Sequence, residues 1–220
     1  MPDNVTRDFG VQNFTHDLLR AREKVAHYGT FCPRDISTLE IMTVLLEDRR
    51  YFSHKGIDRV SILRETHKLV RRGQHGGAST IEMQFVRTIT GYRERTFSRK
   101  VYEAALAMAL QRGCEKRCVL RAYLDLAYFG TKLNGADAAA HQIYGKAAVE
   151  LTIEEAAFIA AMLCYPRPRA APPKWREKVE RRAAYGLALH RSIWSAIARN
   201  HTALVSRCAR RPGSVALYAH

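Results

Sequence analysis

Four short stretches of the 220-residue chain carry residue types that chemistry can use. LLEDRRYFSHKGID, residues 45–58, sets the carboxylates Glu47 and Asp48 beside Arg49, Arg50, His54 and Asp58 at the end of an apolar run. GGASTIEMQFVR, residues 76–87, leads from a glycine-rich turn into Ser79, Thr80 and Gln84. SRKVYEAA, residues 98–105, holds Arg99, Lys100 and Glu103, and LRAYLDLAYFG, residues 120–130, is aromatic with one acid, Asp125. A carboxylate within hydrogen-bond reach of a hydroxyl can take its proton as the oxygen attacks. A glycine-rich turn that opens a helix presents free N–H groups to phosphate or sugar oxygens. Lys100 and Glu103 are one helical turn apart and share a face.

Each stretch also has a plain structural use. A Glu-Asp pair at a helix end is most often a solvated acidic turn. Ser79 with Glu82 reads as a capping box, Lys100 with Glu103 as an exposed ion pair, and 120–130 as a packed amphipathic helix. None of the four decides the matter alone.

The elements that must position these residues are helices. Ser37 with Glu40 is a capping-box pattern ahead of Leu39, Met42, Leu45 and Leu46, whose spacing predicts a helix running into Glu47. Asp58 caps a second that stops at Gly73, and Ser79 caps a third that ends near Gly91. A fourth carries Val101, Ala104, Ala105 and Met108 to Gly113, and a fifth runs from Val119 through Tyr128 to Gly130. Thr152 with Glu155 opens the apolar helix AAFIAAMLCY, closed by Pro166. PRPRAAPP, with four prolines in eight residues, is an extended linker, followed by a basic helix from about Trp175. The last fifteen residues or so read as a basic, poorly packed tail. With strand signals nearly absent, the expected class is all-α.

Apolar residues at 47% and charged ones at 26% fit a globular chain able to bury a core. Thirty-six Lys+Arg against 21 Asp+Glu give +15, enough to draw phosphates, nucleic acid or an anionic membrane face. The five cysteines, Cys32, Cys114, Cys118, Cys164 and Cys208, are odd in number and unlike a disulfide framework. Cys114 and Cys118 could face one zinc, but two half-buried helical thiols is the better reading. MPDNVTRDFG lacks the basic and apolar regions of a signal peptide, and no run approaches the ~20 apolar residues of a membrane span.

In this order and spacing, the four stretches resemble the peptidoglycan glycosyltransferase domain of family 51, found in bifunctional penicillin-binding proteins and monofunctional transglycosylases. Glu47, Asp48, Arg50, Phe52, His54, Gly56 and Asp58 fall on its first motif, and Gly77, Ala78, Ser79, Thr80, Ile81 and Gln84 on its second. Arg99, Lys100 and Glu103 complete its third. The stretch from GADAAAHQIYGKAAVEL onward is also similar, and the likeness covers about Ile36 to His190. Departures are Arg87 and Thr88, where the family has Lys-Asn, and Asp125, where it has Asn.

The resemblance implies a lysozyme-like helical fold that polymerises lipid II into a β-1,4 glycan with inversion and release of undecaprenyl diphosphate. On it, Glu47 is the catalytic base, its basicity raised by apolar neighbours such as Leu45, Leu46 and Phe52. Glu103 is the second catalytic carboxylate, orienting cations or holding a divalent ion, Mg or Mn. Asp48, Arg50, Ser79, Thr80, Gln84, Arg99 and Lys100 are expected to bind substrate, the cations neutralising the diphosphate. No organic cofactor is implied. Expected partners are lipid II, the growing glycan chain, an anionic membrane surface and a cell-wall synthesis protein, with no nucleic acid. The place of work is the cell envelope, peripheral on the outer face of the cytoplasmic membrane. The expected division is an N-terminal segment 1–35, a glycosyltransferase domain 36–190 and a basic C-terminal segment 191–220. A weakened lipid II-binding scaffold, a nucleic-acid binder and a lysozyme-like hydrolase are the competing readings.

Overall fold

The fold was read from a computed structural model in which residues 11–29, 35–72, 79–94 and 96–209 are described. It is helical: α1 (Val11–Gly29), α2 (Thr38–Glu47), α3 (Arg59–Arg72), α4 (Ile81–Thr90), α5 (Phe97–Gln111) and α6 (Lys116–Leu126) precede a two-stranded ribbon. The ribbon pairs β1 (Tyr128–Gly130) with β2 (Leu133–Asn134) antiparallel, and α7 (Ala136–Tyr144), α8 (Ile153–Met162) and α9 (Pro173–Ala209) follow.

Helix α8 is the axis of one half. Its residues Ala156 to Met162 are all buried, as a helix apolar on every side must be, between α2 and α9. The other half packs α4 against α5 and α6, with α1 laid across the three. Ile81, Phe85, Leu106, Leu110 and Leu120 are fully buried there, each adding about 1.5–3 kcal/mol by leaving water. Helix α1 lies in the segment set apart as 1–35, yet Ala21 and Val25 enter this core. Its buried Asp17 accepts hydrogen bonds from Tyr92 and Tyr102.

The caps follow the sequence in three places and shift in a fourth. Ser37–Glu40 and Thr152–Glu155 both form capping boxes. At α4 the cap is Thr80 rather than Ser79: its Oγ1 accepts the Met83 N–H and donates to Gly56 O at 2.7 Å. Glu82 is freed from capping and is buried against Lys116. Asp58 Oδ1 accepts the Val60 N–H at the start of α3, as expected, whereas Gly73, Gly76, Gly77 and Ala78 lie outside the described residues.

Two expectations need correction. Helix α6 stops at Leu126, because Ala127 turns extended and Tyr128–Gly130 becomes a strand. Gly130, at φ +150, presses so close to the proline-rich segment that a Cβ would lie 2.5 Å from Arg167 O. Thr131 N–H donates to Arg167 O and Arg167 N–H to Phe129 O, both at 2.8 Å, so the extended linker is bonded to the ribbon. Cys118 is buried on α6 but Cys114 sits in the turn before it. The basic helix α9 is described through Ala209, and residues 210–220 of the expected tail lie outside the described residues.

Candidate active site

Helix α2 delivers Glu47 as its last residue, and Asp48 leaves the helix at φ −152, ψ 78. The two carboxylates therefore diverge. Asp48 turns inward: its Oδ2 accepts the first amide of α4, Ile81 N–H, at 3.3 Å and lies 2.9 Å from His54 Nε2. Glu47 stays partly open at 12% side-chain exposure, and both its oxygens are engaged. Arg182 Nη2, from α9, donates to Oε1 at 2.9 Å and to Leu46 O at 2.8 Å. Gln84 Nε2, from α4, donates to Oε2 at 3.2 Å.

The groups on Glu47 are thus polar, not the apolar wall expected of Leu45, Leu46 and Phe52. Leu45 and Leu46 are buried in the core, and Phe52 is half exposed; the aromatic packed under this turn is Tyr51. The turn itself is pressed on α5. Gly56 has φ +89, and a Cβ added there would lie 2.6 Å from Ala107 O, so both its conformation and its contact exclude a side chain.

Gln84 is itself fixed. Its Oε1 accepts the Tyr123 hydroxyl at 2.5 Å, which decides which end of the amide faces Glu47. Burial pushes the Tyr123 phenol far above its ordinary range, with the charge of Glu47 adding, so it remains a donor. One turn along the same face of α4, Arg87 makes a two-pronged contact with Glu103, Nε to Oε1 at 2.9 Å and Nη2 to Oε2 at 2.8 Å. Arg99 donates to Oε1 as well. Glu103 is fully buried between two guanidinium groups. The hydrogen bonds that Arg87 donates to Glu103 raise its pKa despite burial.

The expected Lys100–Glu103 pair does not form. Arg99, four residues before Glu103 rather than three, takes that place, and Lys100 is exposed without an ion-pair partner among the described residues. Arg50 pairs with Asp58 Oδ1 at 3.3 Å. Ser79 is half-buried beside the buried Thr80. Asp125 accepts from the Tyr28 hydroxyl, away from Glu47.

Residues 22–190 match the sequence model of the family described as Transglycosylase. The chain belongs to the transglycosylase family. Among curated relatives it is 39% identical over 120 residues to penicillin-binding protein 1A of Aquifex aeolicus, covering 54% of this chain and 16% of that one. It is 32% identical over 160 residues to the biosynthetic peptidoglycan transglycosylase of Aeromonas hydrophila, covering 71% and 62% respectively. The protein of the same name from Marinomonas is 31% identical over 155 residues, covering 70% and 69%. The chain thus spans 16% and 62% of the length of the first two. Among the described residues, no helix of this transglycosylase chain is long and apolar enough to cross a membrane.

Two places could hold a divalent ion by their residue types. Glu103 does not fit one, because both of its oxygens already receive guanidinium donors and it has no exposed surface. Asp48, His54 and Glu82 do bring ligand atoms within 4.8 Å of one another. There the Lys116 ammonium contacts Glu82 and lies 3.5 Å from His54 Nδ1, so a side chain already supplies the cation. Burial pushes the Glu82 carboxyl up, with the Lys116 charge and hydrogen bond only partly opposing it.

Sequence reasoning misses Arg182 and Tyr123 as partners of the site and notes Arg87 only as a departure from the family's lysine. Arg182 sits on a basic helix whose many arginines look alike until packing selects one. Arg87 has a readable signal: it lies three residues beyond Gln84 on one helix face.

Proposed function

We propose that this chain is a peptidoglycan glycosyltransferase that polymerises lipid II into β-1,4 glycan strands. The observation that carries the reading is Glu47, a partly open carboxylate fixed by Arg182 and Gln84 on a family-51-like scaffold. Each carboxylate oxygen has two lone pairs, so Glu47 can accept a hydroxyl hydrogen bond while keeping both donors. In the reaction the 4-hydroxyl oxygen of lipid II attacks the anomeric carbon of the growing chain, whose bond to the diphosphate oxygen breaks. The hydroxyl proton passes to Glu47. Attack from the face opposite the leaving group inverts the carbon.

The diphosphate leaves with its negative charge and needs cations more than a proton donor. Lys100, exposed and without an ion-pair partner among the described residues, suits this role, and Arg50 and Arg99 are the further candidates. Glu103 is a positioning residue in this scheme: it holds Arg87 and Arg99 in register rather than touching sugar. Ser79, half-buried just ahead of α4, is the candidate here for phosphate or sugar oxygens, whereas Thr80 and Asp48 act by anchoring the turn, Thr80 through Gly56 O and Asp48 through the Ile81 amide. No step runs through a divalent ion; undiminished polymerisation in a chelator is the matching outcome.

The test is glycan formation from lipid II by wild type, Glu47→Gln and Glu103→Gln. Glycan formation by Glu47→Gln at the wild-type rate would overturn the base assignment. The growing strand and a cell-wall synthesis protein are the proposed further partners. The proposed place is the outer face of the cytoplasmic membrane, with the +15 chain held on anionic lipid. Each basic group near such a surface adds on the order of 1 kcal/mol, so co-sedimentation with anionic vesicles should fall as salt rises.

A further inference from the structure

A cavity of about 810 Å³ opens between the 50–60 turn and the C-terminal end of α5. Arg50, Lys55, Arg59 and Arg112 line it against one carboxylate, Asp58. Asp58 is spent on its own surroundings. Its Oδ1 accepts the Val60 N–H and pairs with Arg50, and its Oδ2 accepts the Ser61 hydroxyl. Lys55, Arg59 and Arg112 are exposed and have no partner among the described residues. Three unmatched cations around one concavity repel one another until an anion enters.

Apart from Arg50, which is paired with Asp58 and is also a candidate for the diphosphate, the cavity's lining is distinct from the residues of the glycan site. Met108 and Gln111, on its wall, lie eight and eleven residues along α5 from Lys100, which is at least about 12 Å along the helix axis. Its floor is partly apolar, with Met108 and Val60. On the α3 side the surface continues as exposed Val60, Ile62 and Leu63, a mixed cationic and apolar character that free phosphate does not need.

We infer that this cavity is a binding site for the phosphate group of an anionic membrane lipid, held by Lys55, Arg59 and Arg112 while the exposed apolar residues of α3 meet the acyl region. This deepens the proposed membrane attachment and rests on it, but not on the glycan chemistry. Charge-assisted contacts to a phosphate diester are stronger than neutral ones, and the site would fix how the protein sits on the bilayer.

The test uses dihexanoyl-phosphatidylglycerol as dispersed monomers, which present a headgroup without a charged surface. Methyl NMR shifts of Met108 and Val60 report occupancy. Saturable shifts are expected, with affinity falling roughly tenfold or more in the triple variant Lys55→Gln/Arg59→Gln/Arg112→Gln. They should be kept in Lys174→Gln/Lys178→Gln/Arg181→Gln, which removes equal charge from exposed positions of α9. Absent shifts, or equal weakening in both variants, overturn the site. Equal saturation by inorganic phosphate overturns the lipid assignment in favour of a free-anion site. Loss of polymerisation or of vesicle co-sedimentation leaves these readouts unmoved, so the failures are distinguishable.

Discussion

Arg182 Nη2 donates to Glu47 Oε1 at 2.9 Å across 135 residues of sequence, and the same nitrogen donates to the carbonyl of Leu46 beside it. One guanidinium therefore holds both the backbone that ends α2 and the carboxylate that α2 presents. Burial works against the arginine's charge, but Glu47 outweighs it, and the Arg182 pKa is raised.

Replacing Arg182 tests whether this geometry matters for turnover. Arg182→Lys keeps a charge but puts a single ammonium where a planar group bridges two acceptors. The proposed polymerisation of lipid II should fall by roughly 10²-fold, the loss typical of a catalytic group displaced by about 1 Å. The fall should lie in kcat more than KM, with the thermal midpoint little changed. A kcat equal to wild type would show that Glu47 does not depend on Arg182.

Tyr123→Phe probes the same carboxylate from the other side. The hydroxyl is the donor that keeps Gln84 Oε1 turned away and Nε2 toward Glu47. Without it the amide can rotate and offer its oxygen to a carboxylate, which repels it. The ring still fills its buried place, so folding should survive at a cost of about 1 kcal/mol. A several-fold drop in kcat at nearly unchanged stability is expected; Gln84→Leu in the Tyr123→Phe background should add little, since the two changes break one contact chain.

The Glu82–Lys116 pair gives a stability prediction. Lys116→Met leaves Glu82 buried without its partner and should destabilise by about 3–5 kcal/mol in denaturant unfolding. Glu82→Gln with Lys116→Met removes both charges and should recover most of that loss. If the double variant is as unstable as the single one, the pair is not what is being measured.

Much of this is legible in the sequence, and the misses have physical causes. Capping residues and apolar spacing locate α2, α4, α5 and α8, because caps and helix faces are local. The cap of α4 is a choice between two adjacent hydroxyl residues, Ser79 and Thr80, settled by Gly56 O accepting from Thr80. The ribbon at Tyr128–Gly130 reads as helix because its extended form rests on pairing with β2 and on contact with Arg167, far along the chain, which no local pattern shows. Within the site, Glu47 and Gln84 come from the first and second motifs and meet where the end of α2 faces the first turn of α4. Arg182 comes from the basic helix, where nothing local singles it out. Spacing points Glu103 at Lys100, but the buried carboxylate is taken by Arg87, whose fork meets both oxygens, and by Arg99, which donates to Oε1 from one turn away on the same helix.

Acid sensitivity should trace in part to Asp58. Burial opposes its ionisation, yet hydrogen bonds from Ser61 and Val60 and the charge of Arg50 prevail, holding the carboxyl below its ordinary value. A group whose pKa is lower folded than unfolded binds fewer protons in the native state within that window, so stability there rises with pH. The contribution is complete above the unfolded value, near 3.9, and is lost as pH falls through the folded one. Asp58→Asn can still accept the Val60 N–H and cap α3. It should unfold more readily than wild type at pH 7 while showing a shallower loss of stability below about pH 4. Parallel stability curves for the two proteins between neutral and acid pH would rule out this source of the acid limb.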